Sequence, residues 1–330
     1  MSTRIYYLAP DYDVPSWGNG MLYHHVRLLR ELGFESFVLH QRAPFRMSWI
    51  DVDVPIVHLD GGAAERHVRP EPGDVLVVPE VQAHSAAVAA IHCRKVVFIQ
   101  GGFLILTAFD RANTYPELGF EAAMAVMPHI AEIVAHHCGI TPAIVPPFIA
   151  SYFFVDENRL DSLRRKRILL VGKAEYRKAG YLDFDIARKL LERFVARRGD
   201  WELLELAGFD HRRTAEIMKE SAVMLNVNSL ESFNAQVAEA MAAGCLPFCY
   251  EAYGGRDYLC SGVNAFVWPN NYVYPLLDQL FEMLDSFEDR SAKLATMRRA
   301  ARKTADLFRE EGTARELSRF YEELLCGHRY

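Results

Sequence analysis

Apolar positions along the chain follow two alternating rhythms. Short runs in which nearly every residue is apolar, at 4–9, 36–40, 54–59, 74–78, 96–100 and 143–145, predict strands buried on both faces, as in a parallel sheet. Between them the spacing changes. Apolar residues at 21/22, 25/26, 28/29 and 32 predict a helix over 21–32, which Gly33 ends. Further helices are expected over 84–92 and 121–138, and a turn-rich loop over 10–20 closes with Trp17-Gly18-Asn19-Gly20.

Pro146-Pro147 and the aromatic run Tyr152-Phe153-Phe154 mark an edge, after which the pattern restarts. Strands are expected at 168–171, 203–206, 223–227 and 246–250, with helices at 183–197, 214–220 and 234–243. Three last helices, 275–287, 290–308 and 313–325, exceed what a second sheet needs. The expected organisation is a first domain over 1–150, a second over 151–310, and a segment 311–330 that returns to the first. Alternating strands and helices imply an α/β protein of two Rossmann-like, doubly wound domains facing a central cleft. Ligands bind outside the carboxyl ends of such strands, so the informative loops are 10–20 and 100–103 in the first domain and 172–180, 228–233 and 251–257 in the second.

Composition narrows the partners. The net charge of −6 forces no basic face, so nucleic acid is not the expected partner. The basic clusters Arg164-Arg165-Lys166-Arg167, Arg298-Arg299 and Arg302-Lys303 read as solvated flanks, with peripheral contact to anionic lipid headgroups as the alternative. The six cysteines form no CxxC pair and read as reduced thiols of a cytoplasmic protein. No signal-peptide pattern and no transmembrane run is read.

The chemistry concentrates in one stretch, Asn226-Val-Asn-Ser-Leu-Glu231-Ser232-Phe233-Asn234-Ala-Gln-Val-Ala-Glu239-Ala-Met-Ala-Ala-Gly244-Cys-Leu-Pro247, followed by Tyr253-Gly254-Gly255. A helix starting near Asn234 presents unpaired amides and the positive end of its dipole, which makes an anion site. Glu231 ahead of that helix and Glu239 within it are carboxylates suited to accept hydrogen bonds from sugar hydroxyls.

Two glutamates with seven residues between them, then Ala-Met-Ala-x-Gly and a later Gly-Gly, resemble the retaining GT-B enzymes of glycosyltransferase family 4. The resemblance implies a GT-B fold and transfer of a sugar from a nucleotide-sugar donor with retention, by front-face displacement and without metal or other cofactor. It places Glu231 near the donor hexose, with Ser232, Phe233, Asn234, Gly254 and Gly255 around the donor, and Glu239 on the nucleotide ribose. Val171-Gly172-Lys173-x4-Lys178 is similar to the family's Val-Gly-Arg-x4-Lys, which assigns Lys173 and Lys178 to the donor diphosphate. Gly18 and Gly20 resemble the family's glycine loop beneath the phosphates. The acceptor, on the first domain, would be a carbohydrate, a lipid-linked glycan or a small molecule.

Three departures stand out. The usual Glu-Gly-Phe-Gly is Glu231-Ser232-Phe233-Asn234, which adds bulk beside the donor. Gln100 takes the catalytic-site position where a strand-end histidine near the reacting sugar is common, and its amide can hydrogen-bond a hydroxyl but cannot titrate. His25, on the apolar stripe of the first helix, reads as a core histidine. Asp51-Val-Asp53 and Asp183-Phe-Asp185 lack the context of a metal-binding Asp-x-Asp, so no metal site is expected. A sugar-nucleotide epimerase and a non-catalytic sugar-nucleotide-binding protein are the competing readings.

Overall fold

The computed structural model describes residues 3–14, 16–60, 68–102, 105, 114–160, 165–171 and 182–327. The chain divides into two compact units, Met1–Pro147 with Glu311–Tyr330, and Phe148–Glu310.

The first unit holds a seven-stranded sheet, every pairing parallel. Its strands are β1 (Arg4–Leu8), β2 (Glu35–Arg42), β3 (Ile56–Asp60), β4 (Val75–Pro79), β5 (Arg94–Ile99), β6 (Ala122–Ala125) and β7 (Ala143–Ile144). They lie in the order β3-β2-β1-β4-β5-β6-β7. Its described helices include α1 (Trp17–Glu31), α2 (Ala86–Ala89) and α3 (Pro128–His137). All of β4 and β6 is buried, which is why these strands read as unbroken apolar runs.

The expected helix over 84–92 is only Ala86–Ala89, and two other stretches of the first unit differ more from the sequence reading. Residues 121–138 form β6 and then α3 instead of one helix, with Pro128 at the first helical position. The alanines of Ala122–Ala125 favour a helix by propensity, but the segment sits between β5 and β7 and pairs with both. Likewise α1 starts at Trp17, so Gly18 and Gly20 lie in its first turn and not in a loop. Gly20 N–H to Ser16 O at 3.0 Å closes that turn.

The second unit holds a five-stranded parallel sheet, β8 (Arg165–Val171), β9 (Glu202–Glu205), β10 (Ser221–Asn226), β11 (Leu246–Tyr250) and β12 (Phe266–Trp268), ordered β12-β11-β10-β8-β9. Its described helices include α4 (Leu182–Arg198), α5 (His211–Glu220), α6 (Ala235–Ala243), α7 (Val273–Asp285) and α8 (Ser291–Ala305). Alternate strand residues such as Ile168, Leu170, Val223, Leu225 and Phe248 join Phe184, Leu191, Leu276 and Leu280 in one core.

The last helix, α9 (Glu310–Leu325), packs on the first unit. Tyr321 OH meets Tyr7 OH at 2.9 Å, Thr313 Oγ1 donates to Pro146 O at 2.8 Å, and Arg94 Nη2 donates to Leu324 O at 2.9 Å.

Strand order reverses between β1 and β4 in the first unit and between β8 and β10 in the second. At such points the loops leaving neighbouring strands part in opposite directions and open a crevice for ligands.

Candidate functional site

At the second unit's reversal point, β10 ends in Asn226, whose side chain organises the loop that follows. Asn226 Oδ1 accepts from Asn228 N–H at 2.9 Å, and Asn226 Nδ2 donates to Asn234 Oδ1 at 3.0 Å. Asn234 precedes α6 with φ 60° and ψ 56°, a left-handed conformation that asparagine tolerates better than most residues. Its side chain is 1% exposed and folded onto Asn226. The bulk added in Glu231-Ser232-Phe233-Asn234 is therefore taken up by the protein itself at Asn234.

A second segment braces this loop. Gly254 N–H donates to Glu231 O at 3.0 Å. A Cβ on Gly254 would fall on Ser232 O and 2.7 Å from Phe233 Cα, so only glycine allows the two backbones to approach this closely. Tyr258 OH donates to Phe233 O at 2.9 Å and to Asn234 O at 3.2 Å. The Phe233 ring packs 4.8 Å from that of Phe308, and Gly255 sits against the Leu259 side chain. Ser232 and Phe233 are buried and Glu231 is half-buried.

Beyond the loop, Glu239 projects from α6 and is 5% exposed. His211 Nε2, at the start of α5, lies 2.8 Å from Glu239 Oε1, and His211 Nδ1 lies 2.6 Å from Tyr152 OH. Burial opposes charge on His211, but the hydrogen bond and charge of Glu239, with Asp210 adding, raise its pKa. Burial and the same carboxylate push Tyr152 up to about 12. Neither His211 nor Tyr152 was singled out from the sequence. The only signal was Tyr152 in the aromatic run at the domain edge, and nothing in spacing links it to His211.

The first unit's reversal point carries a residue that sequence reasoning missed. Glu80 follows β4 directly and is 3% exposed. Glu80 Oε1 accepts from Gly101 N–H at 2.8 Å, which holds the turn after β5 that carries Gln100. Gln100 Oε1 is buried and has no hydrogen-bond partner among the described residues. It is packed on Gly18, where a Cβ would strike it. Gly20 faces the Trp49 ring. The available signal for Glu80 was an acid placed straight after the five apolar residues Val75–Pro79. His25 lies between the rings of Tyr7 and Phe98, and burial lowers its pKa to about 3, so it is a neutral core histidine.

Burial pushes the Glu80 carboxyl from 4.5 up to about 7. Between those values the folded chain keeps a proton that the unfolded chain has lost, so this group's contribution to stability falls as pH rises through the window. The full span is worth about 3 kcal/mol. Glu80→Gln is neutral throughout. Its melting temperature relative to wild type should climb from pH 4.5 to pH 7 and then level off, and a pH-independent difference in thermal melts would contradict the buried, protonated carboxyl.

No family model matches the chain. The alpha-1,6-glucosyltransferase of Actinobacillus pleuropneumoniae serotype 7 (strain AP76) is 22% identical over 237 residues, 69% of this chain and 67% of that protein. The structure of sucrose-phosphate synthase from Thermosynechococcus elongatus matches 98% of this chain and 99% of its own, with a TM-score of 0.71 at 12% identity. Anabaena HepE in complex with UDP-glucose matches 97% of this chain and 99% of its own, with a TM-score of 0.67 at 13% identity.

The chain has the GT-B fold.

Within this GT-B chain, Val171 at the end of β8 pairs with Asn226 at the end of β10. Gly172, Lys173, Arg177 and Lys178, which follow in sequence, lie outside the described residues. The acidic pairs set aside earlier are engaged elsewhere or exposed. Asp183 accepts from Tyr250 OH at 2.6 Å, Asp185 lies 3.6 Å from Arg188, and Asp51 and Asp53 are exposed. The basic cluster around 165–167 is neutralised within its own unit. Lys166 meets Asp200 and Glu288, and Arg167 meets Glu202 and Glu220. Arg298 and Arg302 are buried, the latter against Asp306 and Val155 O. No described helix is long and apolar enough to cross a membrane.

Proposed function

We propose that this chain is a glycosyltransferase that moves a hexose from a nucleotide-sugar donor to an acceptor hydroxyl, with retention at the anomeric carbon and without a divalent metal. The observation that carries the reading is the loop at the second unit's reversal point. It leads from Asn226 through Glu231 into the N-terminus of α6, with Glu239 about one turn further on. An anion-favouring helix end and two carboxylates are thereby set on one strand–loop–helix segment, which matches the needs of a diphosphate flanked by two sugars. Support comes from the glucosyltransferase relative and from the UDP-glucose held by HepE.

In this reading Glu239 accepts hydrogen bonds from the ribose and Glu231 orients the transferred sugar. The α6 amides, with Lys173 and Lys178, receive the diphosphate charge. The bond from the anomeric carbon to the diphosphate oxygen breaks, and the diphosphate leaves with the electron pair. The acceptor oxygen bonds to the same face, and its proton passes to a departing phosphate oxygen. The protein contributes orientation and charge stabilisation. The acceptor is a carbohydrate, a lipid-linked glycan or a small molecule.

Calorimetry with nucleoside diphosphates and transfer assays in excess EDTA test this reading. Removing a charged acceptor from a hydroxyl costs about 1–3 kcal/mol, so Glu239→Gln should weaken nucleoside diphosphate binding about 5- to 150-fold. Glu231→Gln should bind normally and lose transfer. Unchanged affinity in Glu239→Gln would refute its ribose role. Loss of transfer in EDTA, restored by Mg²⁺, would refute metal independence.

A further inference from the structure

The described side chains around Glu239 form a chain of three groups, and the reading above uses only the last of them. Glu239 is a carboxylate with acceptors only, so the nitrogen facing it at 2.8 Å, His211 Nε2, carries the proton. In the neutral ring Nδ1 is then an acceptor, and the Tyr152 hydroxyl 2.6 Å away fills it. Both neighbours thus favour one tautomer. The ring plane is held as well, with Phe153 4.8 Å from its centroid and Tyr152 edge-on at 5.7 Å. The other charged groups facing the pair are Asp210, which precedes His211, and Arg212, whose guanidinium lies 4.7 Å over the Tyr152 ring.

We propose that His211, held by Tyr152, is the positioning residue of Glu239: it occupies Oε1 and so leaves Oε2 fixed as the acceptor for the ribose hydroxyls of the nucleotide. This rests on the reading that Glu239 binds the ribose. A glutamate side chain has three rotatable bonds, and any that burial leaves free must be frozen when a ligand engages it. With Oε1 already tied to an imidazole, that ordering is complete before the nucleotide arrives. The same arrangement orients carboxylates and imidazoles around other binding centres, where the partner one step removed governs affinity.

A ligand-deletion cycle tests it. Uridine, adenosine and guanosine diphosphates are each compared by calorimetry with their 2′,3′-dideoxy counterparts. Wild type should bind at least one parent nucleotide and lose roughly 10- to 100-fold without the hydroxyls, as expected for hydrogen bonds to a charged group. In His211→Leu that ratio should shrink at least about fivefold, because the parent nucleotide loses affinity and the dideoxy compound does not. His211→Gln can still present an N–H to Oε1 and should recover most of the ratio. Tyr152→Phe, which leaves Nδ1 without its donor, should fall between. A role confined to folding would weaken both ligands of a pair equally and leave the ratio intact, which would overturn the proposal. So would tighter binding of the parent nucleotide in His211→Leu, since His211 would then be a competitor for Glu239. If wild type binds no parent nucleotide, or does not discriminate the pairs, it is the ribose reading of Glu239 that fails.

Discussion

Lys178→Met and Lys173→Met are each expected to lower turnover by about 10²–10³ while leaving the melting temperature within a degree or two of wild type. Negative charge grows on the diphosphate as the glycosidic bond breaks, so a cation aimed at it stabilises the transition state more than the bound donor. The loss should therefore appear in kcat, with a smaller change in donor affinity. Methionine keeps much of the lysine stem and deletes only the charge. The expectation rests on the spacing of the two lysines in the segment that follows β8. Arg177→Met is the internal control, because the family pattern gives Arg177 no role. If it cripples transfer while Lys178→Met is silent, the register of the segment is wrong by one. If all three are silent, the diphosphate is held elsewhere.

Gly254→Ala is expected to cost about 3 kcal/mol of stability, at the upper end for overpacking. The added methyl has no soft neighbour to push aside. It meets the backbone of Ser232 and Phe233, and the Gly254 amide is itself bonded to Glu231 O. A loss of that size corresponds to a fall of roughly 6–12 °C in the melting of a unit of this length. Nucleoside diphosphate affinity should fall with it, because the loop leading into α6 must shift. Gly73→Ala is the control, since nothing lies within 4 Å of its would-be Cβ. Equal melting temperatures for the two variants would show that the contact relaxes at no cost.

The second unit was the more legible in sequence. Its strands β8, β10 and β11 are short, apolar and flanked by helices with regular spacing, and β11 falls on the expected residues. What escaped were segments whose local preference and tertiary setting disagree. Ala122–Ala125 would be helical in isolation and is a strand because its neighbours on both sides pair with it. Trp17–Gly20 reads as a turn from its glycines, yet it is the first turn of α1, where Gly18 lies against the end of the Gln100 side chain. β12 is three residues long, too short for any periodicity to register. At the candidate site, Glu231 and Glu239 were visible because they share one strand–loop–helix segment. Glu80 with Gly101, and Tyr152 with His211, are 21 and 59 residues apart, and adjacent strands β4 and β5 bring the first pair together while the packing of the Ser151–Phe153 turn on α5 joins the second.

The return of α9 has a consequence for how the chain is made. The hydroxyls of Tyr7 and Tyr321 meet across 314 residues of sequence. During synthesis the first unit emerges early but cannot be completed until its last helix has left the ribosome. Until then the surface that buries Leu317, Phe320 and Tyr321 is open to water and to other chains. The second unit is one continuous stretch from Phe148 to Glu310 and meets no such delay. Until α9 docks, the first unit therefore carries an open apolar seat that only a segment from far along the chain can fill.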